Sequence, residues 1–239
     1  MAAIRNNMQV VSDRIARAAA AAGRTSDSVR LLAVSKTHPV ERIEEAFRAG
    51  QSAFGENYVQ EALEKMDALA RLVGERATDV EWHLTGPLQS NKTRLVAERF
   101  NWVHTVSSAK VARRLSEQRS PGQAPLNVLI QVNSSAEASK SGVSLEEAPA
   151  LAHAVSQMPR LNLRGLMAIP EASHEESVRR ARFRPMRGLY ERLREEGLDL
   201  DTLSLGMSDD LEAAIAEGST MVRVGSAIFG ARRREKDAA

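Results

Sequence analysis

Strand-like and helix-like patterns alternate along the whole chain, and this alternation constrains the fold more than any other feature. Short apolar runs bounded by turn residues predict buried strands. We predict eight, at Leu31–Ser35, Ala53–Gly55, Glu81–Thr85, Trp102–Val106, Leu126–Val132, Leu163–Ile169, Thr202–Leu205 and Met221–Gly225. Strands that alternate with helices pair in parallel through right-handed crossovers. Eight such units in 239 residues fit an α/β fold of the single-domain (β/α)8 TIM-barrel type, with a doubly wound open sheet as the alternative.

Apolar residues recur at helical spacing between these strands, for example from Val40 to Ala49 and from Tyr58 to Val73. The segments Ser144–Glu147 and Ser173–Glu176 are predicted to be capping boxes that open two further helices. Within residues 1–25, one face carries Ile4, Met8, Val11, Ile15 and Ala18. This pattern predicts an extra N-terminal helix packed on the barrel. Residues 231–239 are expected to form a charged, flexible tail.

Composition excludes several classes of function. Hydrophobic residues make up 43% of the chain, enough to fill a sizeable core. The formal net charge of only +2 does not indicate a nucleic-acid-binding protein. The basic cluster Arg232-Arg233-Arg234 is better explained as part of a solvated tail. The absence of cysteine excludes disulfides and thiolate chemistry. No apolar run reaches the roughly 18 residues of a membrane helix, and no secretory signal is present. We expect a cytoplasmic protein with neither nucleic acid nor membrane as partner.

Lys36 closes the first predicted strand and is followed by Thr37-His38-Pro39. The carboxyl ends of strands are where α/β folds place their ligands. Burial lowers the pKa of a lysine amine and can make it a nucleophile. Taken alone, Lys36 is better explained as a strand-end lysine whose amine reaches solvent.

Two segments at later strand ends change that interpretation. Ser204–Asp209 follows strand seven and Arg223–Ser226 follows strand eight, and both contain glycine and serine. Glycines let backbone amides approach an anion, and these strand ends often bind phosphate in barrels. Strand eight lies beside strand one in a closed barrel, so a phosphate site there would face Lys36. An amine beside a phosphate site suits pyridoxal 5′-phosphate, with Arg223 as a partner for the pyridine nitrogen.

Several segments together carry a resemblance to a known family, and they cover nearly the whole chain, in order. They are Ala33–Thr37, Phe54–Glu61, His83–Lys92, Val132-Asn133 with Glu137 and Ser139–Gly142, Gly165–Pro170, Leu203–Asp209 and Gly218–Gly230. With these segments the sequence resembles the YggS/PROSC family of pyridoxal phosphate homeostasis proteins. The resemblance implies the barrel of the alanine-racemase N-terminal-domain type.

The resemblance also implies a role for each matching residue. Lys36 matches the lysine that holds the cofactor as an aldimine, and Arg223 matches the arginine at the pyridine nitrogen. Three residues match the phosphate cradle, namely Ser208, Gly225 and Ser226. Two more are expected near the cofactor at the barrel mouth, namely Asn57 and His83, although a core position for His83 stays open. No residue is predicted to be catalytic or to bind metal.

Racemases of the related fold use a tyrosine from a second domain as a second base. The chain ends soon after strand eight, and its two tyrosines, Tyr58 and Tyr190, are not placed as that base. We therefore expect a monomeric carrier that holds pyridoxal 5′-phosphate for vitamin B6 homeostasis, with apo-enzymes as recipients. The alternatives are a weak amino-acid racemase with Lys36 as sole base, a Schiff-base aldolase, and a binding module without cofactor.

Overall fold

A computed structural model describes residues 2–135 and 141–231 of the chain. Three of the positions that carry the resemblance, Glu137, Ser139 and Lys140, lie outside the described residues. The predicted tail beyond residue 231, with its three arginines, also lies outside them.

Eight parallel strands close into a barrel in the order of the sequence, with β1 hydrogen-bonded to both β2 and β8. The strands are β1 Arg30–Val34, β2 Ala53–Glu56, β3 Glu81–Leu84, β4 Trp102–Val106, β5 Leu126–Gln131, β6 Leu161–Met167, β7 Thr202–Ser204 and β8 Met221–Val224. The register pairs Leu31 with Val222 and Leu32 with Arg223 across the closing seam. The predicted barrel is therefore confirmed, and the open sheet is excluded.

Helices surround the barrel and connect its strands. They are α1 Ala2–Ala21, α2 Val40–Arg48, α3 Val59–Val73, α4 Thr93–Arg99, α5 Ala109–Gln118, α6 Ala148–Ser156, α7 Glu176–Glu195, α8 Leu211–Ala216 and α9 Ser226–Phe229. Two short 3-10 helices cover Ser26–Ser28 and Gly74–Asp79. None of the helices within residues 2–135 and 141–231 is long and apolar enough to cross a membrane.

The main hydrophobic core fills the layer between the strands and the helices. Strand residues such as Phe54 and Val128 pack there with helix residues such as Ile43 and Leu115. Two smaller clusters fill the inside of the barrel. They consist of Leu32, Ala53 and Met221, and of Trp102, Leu129 and Met167. Side chains of successive strand residues point to opposite sides, so each strand supplies both layers.

The extra helix α1 packs against α2, α8 and α9, as the amphipathic pattern predicts. Ile4, Met8, Val11 and Ile15 are buried on its inner face, and Ala18 is half-buried. One polar contact extends this packing, because Asn7 Nδ2 donates a hydrogen bond to the carbonyl of Ile228. The helix α1 therefore covers the outer side of the barrel next to α8 and α9, the helices on either side of β8.

The two predicted capping boxes have different outcomes. Ser144 Oγ accepts a hydrogen bond from the amide of Glu147, and the Glu147 carboxylate accepts one from the amide of Ser144. This is the reciprocal pattern of a capping box. At the second segment, Ser173 Oγ accepts from the amide of Glu175, and α7 begins only at Glu176. The serine forms a local turn before the helix, so that prediction is wrong.

Candidate functional site

A cavity of about 220 Å³ opens at the carboxyl ends of β1, β7 and β8. Six of the seven residues predicted for the cofactor site line it, namely Lys36, Asn57, Ser208, Arg223, Gly225 and Ser226. They lie in or after four different strands, β1, β2, β7 and β8, and the closed barrel brings them to one mouth. No group of three or more acidic or histidine side chains in residues 2–135 and 141–231 is arranged to hold a metal ion.

Lys36 stands two residues after the last residue of β1 and is half-buried. The next residue, Thr37, has a φ of 65°, a left-handed conformation that is unusual for a β-branched residue. The amide of His38 donates to the carbonyl of Ser35, which closes a tight turn around Lys36. The strand end and this turn fix where the lysine side chain leaves the backbone.

The loops after β7 and β8 meet at the same cavity. Ser226 Oγ donates a hydrogen bond to Ser208 Oγ at 3.1 Å, and the amide of Ala227 donates to the same oxygen at 3.4 Å. A Cβ added to Gly225 would lie 3.1 Å from the carbonyl oxygen of Val34, so glycine lets this loop approach β1 closely. Hydroxyl groups and backbone amides concentrated in this way suit an anion.

Arg223 projects from β8 into the barrel, where only 5% of it is exposed. Its guanidinium donates to the carbonyl oxygen of Ser204 at 2.6 Å, to Ser204 Oγ at 2.8 Å and to the carbonyl of Ala168 at 2.9 Å. Burial lowers the pKa of Arg223 to about 10, so the group remains charged at neutral pH. These bonds aim a fixed cation at the cavity.

A chain of polar side chains continues from Arg223 into the barrel interior. Ser204 Oγ lies 3.3 Å from His104 Nδ1, and His104 Nε2 lies 2.9 Å from His83 Nδ1. Both histidines are fully buried, and His83 stacks on Trp102 with 5.1 Å between ring centroids. Burial lowers the pKa of His83 to about 4 and that of His104 well below its usual range, so both rings are neutral at pH 7.

The expected position of His83 therefore needs correction. It does not line the cavity at the strand-three mouth but lies in the barrel interior, beneath His104 and Ser204. The physical reason is its position within β3, two residues before the strand-end Thr85 that does reach the cavity.

Thr85 is a lining residue that the site prediction lacked. Its hydroxyl donates to Asn57 Oδ1 at 3.0 Å and to the carbonyl of Glu56 at 3.2 Å. Thr85 follows β3 just as Lys36 follows β1, so its strand-end position was the available signal. Through this contact, Thr85 orients the predicted pocket residue Asn57.

A second cavity of about 550 Å³ adjoins the first one toward β5 and β6. The two cavities share Asn57, Thr85, Ile169 and Met207, so they form one continuous cleft. Ile169 and Met207 are 43% and 40% exposed. The cleft therefore opens to solvent between apolar side chains on its outer rim.

The chain is similar to known proteins over nearly its whole length. The family model of the alanine racemase N-terminal domain matches residues 1–233. The pyridoxal phosphate homeostasis protein of Pseudomonas aeruginosa is 56% identical over 232 residues, which cover 97% of each chain. The Escherichia coli protein of the same name is 53% identical over 234 residues, or 98% of each chain.

A solved structure of PipY from Synechococcus elongatus, with pyridoxal phosphate bound, has a TM-score of 0.78 and 36% identity. The match covers 92% of this chain and all of PipY. The chain belongs to the family of pyridoxal phosphate homeostasis proteins, as the sequence resemblance predicts.

The residues of the cavity fit that cofactor. Lys36 is the only lysine among the described residues that line it, and it supplies the amine that an aldehyde requires. Ser208, Ser226 and the close approach allowed by Gly225 suit the phosphate. Arg223 supplies a donor that stays protonated for the ring nitrogen. The cofactor's three functional ends thus have chemically matched partners in one cavity.

Proposed function

We propose that this protein binds pyridoxal 5′-phosphate through Lys36 and serves intracellular vitamin B6 homeostasis by holding and releasing the cofactor. The observation that carries the proposal is that Lys36, the Ser208–Ser226 pair and Arg223 all line one cavity. Lys36 would hold the cofactor, whose aldehyde would supply a reversible condensation with the lysine amine, with one water released and taken up again on hydrolysis.

The protein's own residues bind and orient rather than move protons. Ser208 and Ser226 would hold the phosphate through hydroxyl and amide donors. Arg223 would donate to the pyridine nitrogen, and its guanidinium cannot give up its proton. A ring nitrogen that receives no proton is a poor electron sink, so this arrangement favours storage over carbanion chemistry.

The tyrosine positions support a role as holder rather than enzyme. Tyr190 is buried in α7, where its hydroxyl donates to the carbonyl of Leu200 at 3.0 Å. Tyr58, 55% exposed, is not among the residues that line either part of the cleft. Neither described tyrosine is thus placed as a second base at the cavity, and we expect at most weak racemase exchange.

The open, apolar-rimmed cleft supports release of the cofactor to another protein. We therefore extend the proposal to PLP-dependent apo-enzymes as recipients, and to a monomer that works in the cytoplasm. Transfer is tested by mixing the loaded protein with a pyridoxal-dependent apo-enzyme and a scavenger of free cofactor. Activation of the apo-enzyme despite the scavenger supports direct transfer, whereas complete suppression contradicts it.

Absorbance tests the central binding proposal. The purified protein incubated with pyridoxal 5′-phosphate should develop the yellow colour of a lysine-linked cofactor, and Lys36→Ala should not. Lys110→Ala is the matched control, because Lys110 is an exposed lysine on α5 and does not line the cavity. Equal colour in Lys36→Ala and Lys110→Ala would refute the assignment of Lys36.

The racemase alternative is tested by exchange of the Cα proton of amino acids in deuterated water. We expect exchange far slower than in a genuine racemase. Rapid exchange that Lys36→Ala abolishes would instead assign an enzymatic function to the same site.

A further inference from the structure

A buried ionic cluster lies between the ends of β1 and β2 and helix α3. It consists of Glu56, Glu61 and Lys65, which we call the α3 clamp. Lys65 Nζ lies 2.9 Å from Glu56 Oε1 and 2.5 Å from Glu61 Oε1. Glu56 has no exposed surface, and Lys65 is only 7% exposed. None of the three residues lines the cavity.

The α3 clamp contacts the residues on both sides of Lys36. Lys65 Nζ donates to the carbonyl of Ser35 at 2.8 Å, and Ser35 Oγ donates to Glu56 Oε1 at 2.6 Å. On the other side, the amide of Thr37 donates to Glu61 Oε1 at 2.6 Å. The two peptide groups that flank Lys36 are therefore tied to α3 by charge-assisted hydrogen bonds, which are the strong kind.

Stability alone does not explain this cluster. Ion pairs that are taken out of water often contribute little net stability compared with apolar side chains of the same size. Here burial raises the pKa of Glu56, and its Oε2 atom has no hydrogen-bond partner. The turn at Thr37, with its φ of 65°, is also an unfavourable conformation. Such features persist where the surrounding structure fixes a functional geometry.

We infer that Glu56, Glu61 and Lys65 are positioning residues that hold the Lys36 turn in place, so that the lysine amine faces the cavity before the cofactor arrives. A side chain whose backbone is already fixed loses less conformational freedom on binding. This inference rests on the proposed binding of pyridoxal 5′-phosphate at Lys36. It adds that the α3 clamp, which lies outside the cavity, influences the affinity of the cavity for pyridoxal 5′-phosphate.

Hydrogen exchange in the cofactor-free protein tests the mechanical part of this inference. Glu61→Ala removes the acceptor of the Thr37 amide. Glu61 lies in the first turn of α3 and is partly exposed, so the variant is expected to fold. Glu64→Ala is the matched control, since Glu64 is exposed on the same helix. We expect exchange at Thr37 to accelerate about tenfold in Glu61→Ala and to stay unchanged in Glu64→Ala. Equal rates in the two variants would overturn the inference.

Cofactor titration tests the functional part. Each of two variants removes one charge-assisted hydrogen bond to a peptide group beside Lys36, from Lys65 to the Ser35 carbonyl or from the Thr37 amide to Glu61. Lys65→Met and Glu61→Ala should therefore each bind pyridoxal 5′-phosphate about tenfold more weakly than wild type. The yellow colour should also appear more slowly, while Glu64→Ala matches wild type. If Lys65→Met does not fold, Glu61→Ala decides the result.

The outcomes separate this inference from the proposed function. Wild-type affinity in both folded variants, with normal loading of the wild-type protein, would refute the α3 clamp and leave the proposed function intact. A wild-type protein that takes up no cofactor would refute the proposed function. Hydrogen exchange at Thr37 would then still decide whether the α3 clamp holds the turn.

Discussion

The two sides of the cavity are supported by different kinds of polar structure. On the Lys36 side, the charged α3 clamp lies outside the barrel, where Glu61 retains 29% side-chain exposure. On the Arg223 side, the chain of Ser204, His104 and His83 lies inside the barrel and is neutral apart from the arginine. The α3 clamp pairs its charges and one of its carboxylates still reaches solvent, whereas complete burial keeps the two histidines uncharged. The comparison suggests that the first side depends on ion pairing and the second on hydrogen bonding.

The largest effect is expected on the charged side. Glu56→Gln keeps the shape of the side chain but removes the buried carboxylate that faces Lys65. Breaking one partner of a buried ion pair costs about 3 kcal/mol of unfolding free energy. Urea denaturation measures the loss. Glu64→Gln is the control, because Glu64 is an exposed glutamate on α3. A loss no larger than that of the control would mean that the charge at Glu56 does not support the Lys36 side.

A pH effect of similar or slightly smaller size is expected on the neutral side. The pKa of His83 is lowered from 6.5 to about 4 in the folded protein, so the unfolded chain binds its proton first. The stabilisation is complete above pH 6.5 and is lost as pH falls toward 4, by roughly 3 kcal/mol for this group. The unfolding free energy of wild type should therefore decline through this window, and His83→Gln should decline less.

Parallel stability curves for wild type and His83→Gln between pH 7 and pH 4 would contradict this interpretation. Nuclear magnetic resonance titration of His83 gives an independent check, because its ring should remain neutral until pH falls to about 4.

The smallest effect is expected from the loss of one hydroxyl group beside Arg223, because the guanidinium keeps two carbonyl acceptors. Ser204→Ala removes the hydroxyl that accepts from Arg223 but leaves the Ser204 carbonyl as an acceptor. The expected loss is about 1 kcal/mol of unfolding free energy, with cofactor still bound through Lys36. Chemical denaturation and absorbance measure the two effects, and Ser120→Ala provides an exposed serine as control. If Ser204→Ala lost as much unfolding free energy as Glu56→Gln, the proposed difference between the ion-paired side and the hydrogen-bonded side would be contradicted.

Much of the fold could be predicted because strand and helix periodicity is local. All eight strands lie within two residues of their predicted ends, since buried strands bounded by turns leave a clear pattern. The Ser173 capping box failed because a serine before a helix can also bond its own loop. Whether such a serine caps a helix or closes a turn depends on tertiary packing, which the local sequence alone does not determine.

The residues that line the cavity were predicted better than the residues that hold them in place. Lys36, Arg223 and the glycine-serine loops stand at strand ends, a position that sequence order reveals. His83 was expected at the cavity although it lies two residues before the strand-end Thr85, and how deep such a side chain lies is set by the closed barrel. Lys65 was missed although a signal was present, since it shares the buried face of α3 with Ala62, Met66 and Leu69. A lysine on such a face requires a buried partner. The sequence does not identify Glu56 as that partner, because the contact depends on how α3 packs against the end of β2.

Peptide mapping after borohydride reduction tests the central claim most directly. Wild-type protein loaded with pyridoxal 5′-phosphate should carry the reduced cofactor on the peptide that contains Lys36, and this modification should be absent from Lys36→Ala. Cofactor found on Lys65 or on another lysine of the wild-type protein, or on none, would contradict the assignment of Lys36 as the cofactor-holding residue.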